Sequence, residues 1–247
     1  MRGLWRLTLV EAKLFLREPF AVFFTVAFPL MMLLLFGSIY GNEPTPFFDG
    51  RGSVDVLVPS YMAMIVGSVG MLSIAMAMSV NREKGILRRY RATPLRPRTI
   101  LAATIIIYFA MTLLGSILLV VAAKVIYNLH FDGNALGVIA AFVLSCLSLF
   151  AVGFDIASLV PTARGAQVVG MIIFYPMLFL SGAGLPSEML PEGVRSFSKF
   201  LPLTHVVTLL QGMWFGEPWS AHLTEVVVLA IVLIVGAAIA TRTFRWE

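Results

Sequence analysis

Six separate runs of roughly twenty apolar residues constrain this chain more than any other feature. They fall at about 20–40, 58–80, 100–123, 136–160, 166–185 and 222–242. A helix needs about 20 such residues to cross about 30 Å of hydrocarbon. In lipid each run must satisfy its own backbone hydrogen bonds, which leaves helix as its state. A β-barrel would show shorter segments of alternating polarity. The composition agrees, with 59% of the 247 residues hydrophobic and 13% charged, against about 25% charged in an ordinary soluble domain. Mean hydropathy is +0.92. Lipid is the natural solvent for that much apolar surface. The expectation is an all-α integral membrane protein, one transmembrane domain over 1–247 with six transmembrane helices. The single cysteine, Cys146, makes an intrachain disulfide impossible.

The basic residues orient the spans. With the N-terminus placed in the cytoplasm, fourteen of the eighteen Lys and Arg fall on the inside. These are Arg2, Arg6, Lys13 and Arg17, then Arg82, Lys84, Arg88, Arg89, Arg91, Arg96 and Arg98, then Arg164, Arg242 and Arg245. Only Arg51, Lys124, Arg195 and Lys199 fall outside. Shifting the count by one span destroys this asymmetry in the second half of the chain. The net charge of +5 therefore reads as topology, with both termini cytoplasmic in a multi-pass cell-membrane protein, and not as a nucleic-acid surface.

Residues 1–19 are too long and too charged for the n-region of a cleavable signal, and the run after them is too long for an h-region. On a helical wheel Arg2, Arg6, Lys13 and Arg17 lie within about 60° of one another, with Leu4, Leu7, Leu14 and Phe15 on other faces. This predicts an interfacial helix with its basic edge near headgroups, ended by Pro19. Residues 41–57, rich in Gly, Pro and Asp, read as a loop.

The most informative loop is 81–99, NREKGILRRYRATPLRPRT, with seven basic residues between the second and third spans. Orientation alone needs fewer. Its middle, Lys84 to Ala92, reads as a short helix stopped by Pro94 and Pro97. Leu87 and Tyr90 form an apolar patch ringed by Arg, which suits docking on a soluble partner.

The stretch from Glu83 to Pro94 resembles the E-(K/R/E)-x-G-T-L-x-x-L-x-x-T-P segment of type-2 ABC transporter permeases. Ile86 stands where Thr is usual there, and the glycine spacing is one residue shorter than in some members. Residues 179–216 resemble the family's F-L-S-G…P…L-P…P-L-T-H/Y-x-V…L-R-G stretch, with Gln211 in place of the usual Arg. The nearest branch is that of bacterial drug, antibiotic and lipid exporters. The resemblance covers essentially the whole chain, and it implies a cytoplasmic coupling helix that touches an ABC ATPase subunit. The positions it assigns to that contact are Arg82, Glu83, Lys84, Gly85, Leu87, Arg88, Arg89, Tyr90 and Pro94. It also implies an extracellular re-entrant hairpin after the fifth span, a second permease subunit (identical or not), and export of an apolar or amphipathic substrate.

No G-x-x-x-x-G-K-[ST] phosphate loop exists, so this chain is expected to bind no cofactor and to perform no hydrolysis, with ATP and Mg on the partner. His130, His205 and His222 are far apart and lack metal-ligand spacing. Apart from Arg242, the last residue of the sixth run, none of the apolar runs contains Lys or Arg, and Asp155 and Glu225 are the acidic residues within them. A carboxylate at membrane depth is a functional site by default, so Asp155 is either a substrate or coupling group or a helix-packing residue that pairs with Arg164. A self-sufficient ion-coupled carrier or channel using Asp155 is the rival reading. Glu225 sits near the outer interface. Met71 and Met78 in the second span, with Phe174, Tyr175 and Phe179 in the fifth, line the substrate path or pack against neighbours and lipid.

Overall fold

The computed structural model describes residues 15, 18–48, 50–86, 97–186 and 190–243, without the side chains of Phe20, Phe47 and residues 97–100. Among them are six helices long and apolar enough to cross a membrane. These are α1 (Phe23–Tyr40), α2 (Ser53–Glu83), α3 (Pro97–Tyr127), α4 (Ala135–Leu159), α5 (Ala163–Leu180) and, last in the chain, α8 (Leu223–Thr243). Between α5 and α8 lie α6 (Glu192–Ser198) and α7 (Pro202–Trp214). A small hairpin precedes α2, with β1 (Pro44–Thr45) paired antiparallel to β2 (Arg51–Gly52).

The second span begins earlier than the sequence predicts. Residues 53–57, read as loop, form the first turns of α2. The side chain of Asn42 supplies the missing cap, its Oδ1 accepting from the N–H of Val54 at 3.0 Å and of Asp55 at 3.2 Å. Polar residues can thus open a buried helix because a distant side chain satisfies its free amides. The first span matches its apolar run, with continuous helix from Pro19 to Tyr40 that passes through π-helical turns over Phe23–Ala27. Other helices overrun their apolar runs, so Arg82, Arg98, Lys124, Arg164 and Arg242 lie inside helical segments, each near an end.

α2 is the central element, with 83% of its apolar stretch buried against 11% for α8. Tyr61, Met64, Ile65, Met71 and Ile74 of α2 are fully enclosed. Met31, Leu35, Leu114, Val121, Ile231 and Ile234 of α1, α3 and α8 face outward, as lipid-facing positions should. Midway along α2 the helix widens into π-helical turns over Val69–Ile74. Two glycines of other helices press against that stretch. A Cβ on Gly153 of α4 would lie 1.9 Å from the carbonyl oxygen of Gly70, and one on Gly170 of α5 would lie 2.6 Å from that of Met71. Backbone meets backbone here, the close packing that small residues allow in membranes.

α7 is buried on most sides. Leu203, Val206, Val207, Leu209 and Leu210 are enclosed, and Leu203 packs beside Gly67 of α2. Its C-terminal half lies along the first turns of α2, where Gln211 donates to Ser60 Oγ at 2.9 Å.

Candidate functional site

The helix α2 ends where the family-like segment begins. Glu83 is its last residue, and Gly85 takes φ +64°, a left-handed conformation that suits glycine at a helix C-terminus. The N–H of Lys84 still bonds to the carbonyl of Val80 at 3.0 Å, and that of Gly85 to Arg82 at 2.9 Å. Lys84 and Gly85 therefore form a turn, so the expected helix over 84–92 does not start at Lys84. Leu87, Arg88, Arg89, Tyr90 and Pro94 lie outside the described residues, as do positions 1–14, 16 and 17 of the predicted interfacial helix.

Arg82 and Glu83 grip a single reverse turn. The guanidinium of Arg82 donates to the carbonyls of Ala157 at 2.6 Å and Val160 at 2.5 Å, both at the C-terminal end of α4. The carboxylate of Glu83 accepts from the N–H of Ala163, the first residue of α5, at 2.8 Å. Each charge meets the helix terminus of opposite sign. A cation lies at the negative end of α4 and an anion at the positive end of α5. Backbone groups that a helix end would leave unbonded are thereby satisfied. Thr162 completes the start of α5 by accepting from the N–H of Gly165 at 3.1 Å. At the same end Ser158 of α4 bonds to Thr243 of α8 at 2.8 Å between hydroxyls. One end of the bundle is therefore tied across α2, α4, α5 and α8, at the end of α2 from which the basic segment continues in sequence.

Two further groups flank this clasp. Phe15 is buried edge-on to Tyr108 of α3, with ring centroids 5.5 Å apart. Glu18 lines a narrow crevice with Phe24, Ser73, Met76, Gln167 and Met171. Burial raises its carboxyl above the ordinary value of 4.5, while the charge of Lys84 pulls it back down.

The other singled-out residues separate. Asp155 of α4 leans on α8 at Gly236, whose Cβ would lie 3.1 Å from its Oδ2. Its Oδ1 is buried without a hydrogen-bond partner among the described residues. No ion pair with Arg164 is found there either, and Arg164 is exposed at the start of α5. Met71, Met78 and Phe174 are packed in the core. Tyr175 is half-buried, edge-on to Phe24 at 6.2 Å, and Phe179 is exposed.

The opposite end holds a polar network that sequence reasoning passed over. Asp55, nearly buried, accepts from Asn42 at 2.9 Å and from the N–H of His130 at 2.8 Å. Trp214 donates to the carbonyl of His130 at 3.2 Å. The buried ring of His222 faces Glu217 at 2.8 Å through Nε2 and Glu225 at 3.8 Å through Nδ1. Arg51 lies 3.8 Å from Glu217 and stacks on Phe215 at 3.7 Å. The histidines were weighed as metal ligands by spacing along the chain. The partners of His130 lie far off in sequence, at Asp55 and Trp214, whereas those of His222 are the neighbouring carboxylates Glu217 and Glu225.

The model of the family described as ABC-2 type transporter matches residues 2–215. The chain belongs to this family. An ABC-2 relative, the daunorubicin resistance ABC transporter permease protein DrrB1 of Streptomyces coeruleorubidus, is 26% identical over 98% of this chain and 84% of its own length. The putative transport permease ycf38 of Porphyra purpurea is 25% identical over 83% of this chain and 71% of that protein. Nodulation protein J of Rhizobium leguminosarum bv. viciae is 32% identical over 45% of this chain and 42% of its own. The all-α, six-span architecture is that of a multi-pass ABC-2 membrane component, and its relatives are transport permeases.

Proposed function

We propose that this chain is the permease subunit of an ATP-driven exporter that moves an apolar or amphipathic substrate, drug-like or lipid-like, out of the cell. The observation that carries the reading is the clasp of Arg82 and Glu83 on the turn between α4 and α5. It lies at the foot of the segment that resembles the family's coupling helix. The basic end is the cytoplasmic one, both termini are on that side, and residues 82–94 dock on a separate ABC ATPase subunit that holds ATP and Mg. A second permease completes the assembly, and α6 with α7 serves as the re-entrant hairpin on the outer side. Closure of the ATPase dimer pushes on 82–94. The clasp passes that displacement to α4 and α5, in addition to α2 and α3 which flank the loop in sequence. The relationship to a daunorubicin resistance permease supports a drug-like substrate.

The test is uptake of a lipophilic dye into inverted vesicles holding this chain with and without its ATPase subunit. Uptake that needs both subunits and ATP supports the reading, and uptake by this chain alone overturns it. The buried Oδ1 of Asp155, without a hydrogen-bond partner among the described residues, favours the second reading, an ion-coupled carrier. In that case Asp155→Asn abolishes uptake by the chain alone.

A further inference from the structure

At the end opposite the clasp, a groove of about 720 Å³ opens between α3 and α4. Its floor is aliphatic, built from Ile117 and Val120 of α3 with Val138 and Ile139 of α4. Ile117 and Ile139 are exposed, so the floor continues the outward-facing apolar surface of the bundle. Its roof is the loop between the two helices, with Leu129, His130, Phe131 and Asp132. That roof is fixed in place. Asp55 holds the N–H of His130, Trp214 holds its carbonyl, and the Phe131 ring stands edge-on to Trp214 with centroids 4.8 Å apart. Gly133 fits so closely that a Cβ there would lie 2.1 Å from the carbonyl oxygen of Met213.

One cation and one anion border the groove at this level. Lys124 is two helical turns above Ile117, about 10 Å along α3. Its ammonium donates to the carbonyl of Leu129 at 3.0 Å, which fixes the charge at the mouth of the groove and leaves two of its three donors. Asp132 lines the same groove and is exposed. Phe131, Tyr40 and Trp219, also exposed at this end of the bundle, mark the level where aromatic side chains meet lipid headgroups.

An aliphatic floor below, with a held cation and an exposed carboxylate bordering it above, matches one chemistry. We propose that the groove binds a phospholipid with a primary-ammonium headgroup, of the phosphatidylethanolamine type. Lys124 takes its phosphate, Asp132 takes its ammonium, and an acyl chain lies along Ile117, Val120 and Ile139. A phosphatidylglycerol headgroup has no cation for Asp132. A choline headgroup carries its charge without N–H donors. The site thus separates three lipids of equal apolar content. This inference depends on the membrane fold alone and is independent of the transport reading.

Native mass spectrometry of the full chain in mild detergent reads the outcome, with dioleoyl phosphatidylethanolamine, phosphatidylglycerol and phosphatidylcholine titrated in turn. The wild-type chain retains phosphatidylethanolamine over the other two by about five-fold, the scale of one headgroup ion contact. Asp132→Asn erases that preference between the ethanolamine and glycerol lipids while binding continues. Lys124→Gln lowers retention of both, and Lys199→Gln, at an exposed lysine outside the groove, changes neither. An unaltered preference in Asp132→Asn overturns the proposal, as does equal retention of all three lipids by the wild type. Should Lys124→Gln fail to fold, Asp132→Asn decides the matter, because Asp132 makes no described side-chain bond that its loss would break.

Discussion

Glu83, the last residue of α2, accepts a hydrogen bond at 2.8 Å from the backbone N–H of Ala163, the first residue of α5. The two are 80 positions apart in sequence. Replacing Glu83 by Ala removes the acceptor, whereas Gln retains one. Assembled with its ATPase, the Ala variant is expected to hydrolyse ATP at a near-normal rate while substrate moved per ATP falls about ten-fold, the scale of a typical coupling energy. The Gln variant keeps most of the transport. Parallel ATPase and vesicle-uptake assays check this, and normal transport by the Ala variant would show that the clasp transmits nothing.

Arg82 tests the same clasp through stability. Its loss leaves the carbonyls of Ala157 and Val160 without this donor at the end of α4. Arg82→Ala should cost about 1–3 kcal/mol, the usual range for removing a charged donor from buried acceptors. Arg82→Lys, with a single point charge for two carbonyls, should recover part of it. Thermal unfolding in detergent, read side by side for the three proteins, gives the order wild type, Lys, Ala.

The crossing of α2 and α4 tolerates no added atom. A methyl on Gly153 would sit 1.9 Å from the Gly70 carbonyl oxygen, so the backbones must part. Gly153→Ala should destabilise by at least about 1–3 kcal/mol, the cost of overpacking a close contact. Gly193→Ala, where nothing lies within 4 Å of the new Cβ, should change little. Size-exclusion profiles after a heat step distinguish the two.

Glu18 gives the chain a pH dependence of known sign. Burial raises its carboxyl above 4.5, so the folded chain holds this proton more tightly than the unfolded one. Stability from this group is full below the ordinary carboxylate value and is lost as pH rises through the raised one. Glu18→Gln should flatten that part of the profile. Lys84→Gln removes the opposing charge and should extend the loss to higher pH. Unfolding temperatures measured across the mildly acidic range for all three proteins check both statements.

The spans were legible because a run of apolar residues long enough to cross lipid has few other uses. Their ends were less so, since Ser53 and Asp55 look like loop until Asn42 is known to cap them. The segment from Glu83 to Pro94 was found as a motif, but nothing in its letters says that Glu83 reaches a backbone amide of α5. A backbone N–H has no sequence signature. The same reason hid the network around Asp55 and His130, where a carboxylate and the indole of Trp214 hold backbone groups 75 and 84 positions away. Asp155 packs against α8 at Gly236, while Arg164, the partner weighed for it, belongs to the exposed start of the next helix.

The π-helical turns over Val69–Ile74 bear on how this protein can change length. A wide turn stores one residue beyond what the α-helical rise requires. Deleting a residue inside 69–74 could therefore be absorbed by tightening to ordinary α-helix, leaving Asn42's cap at one end and Arg82 at the other in register. Deleting one between Ala75 and Asn81 would instead swing Arg82 and Glu83 by about 100° around the axis, away from both helix ends they hold. The central helix thus has one place where evolution or an engineer can remove a residue without turning its lower end.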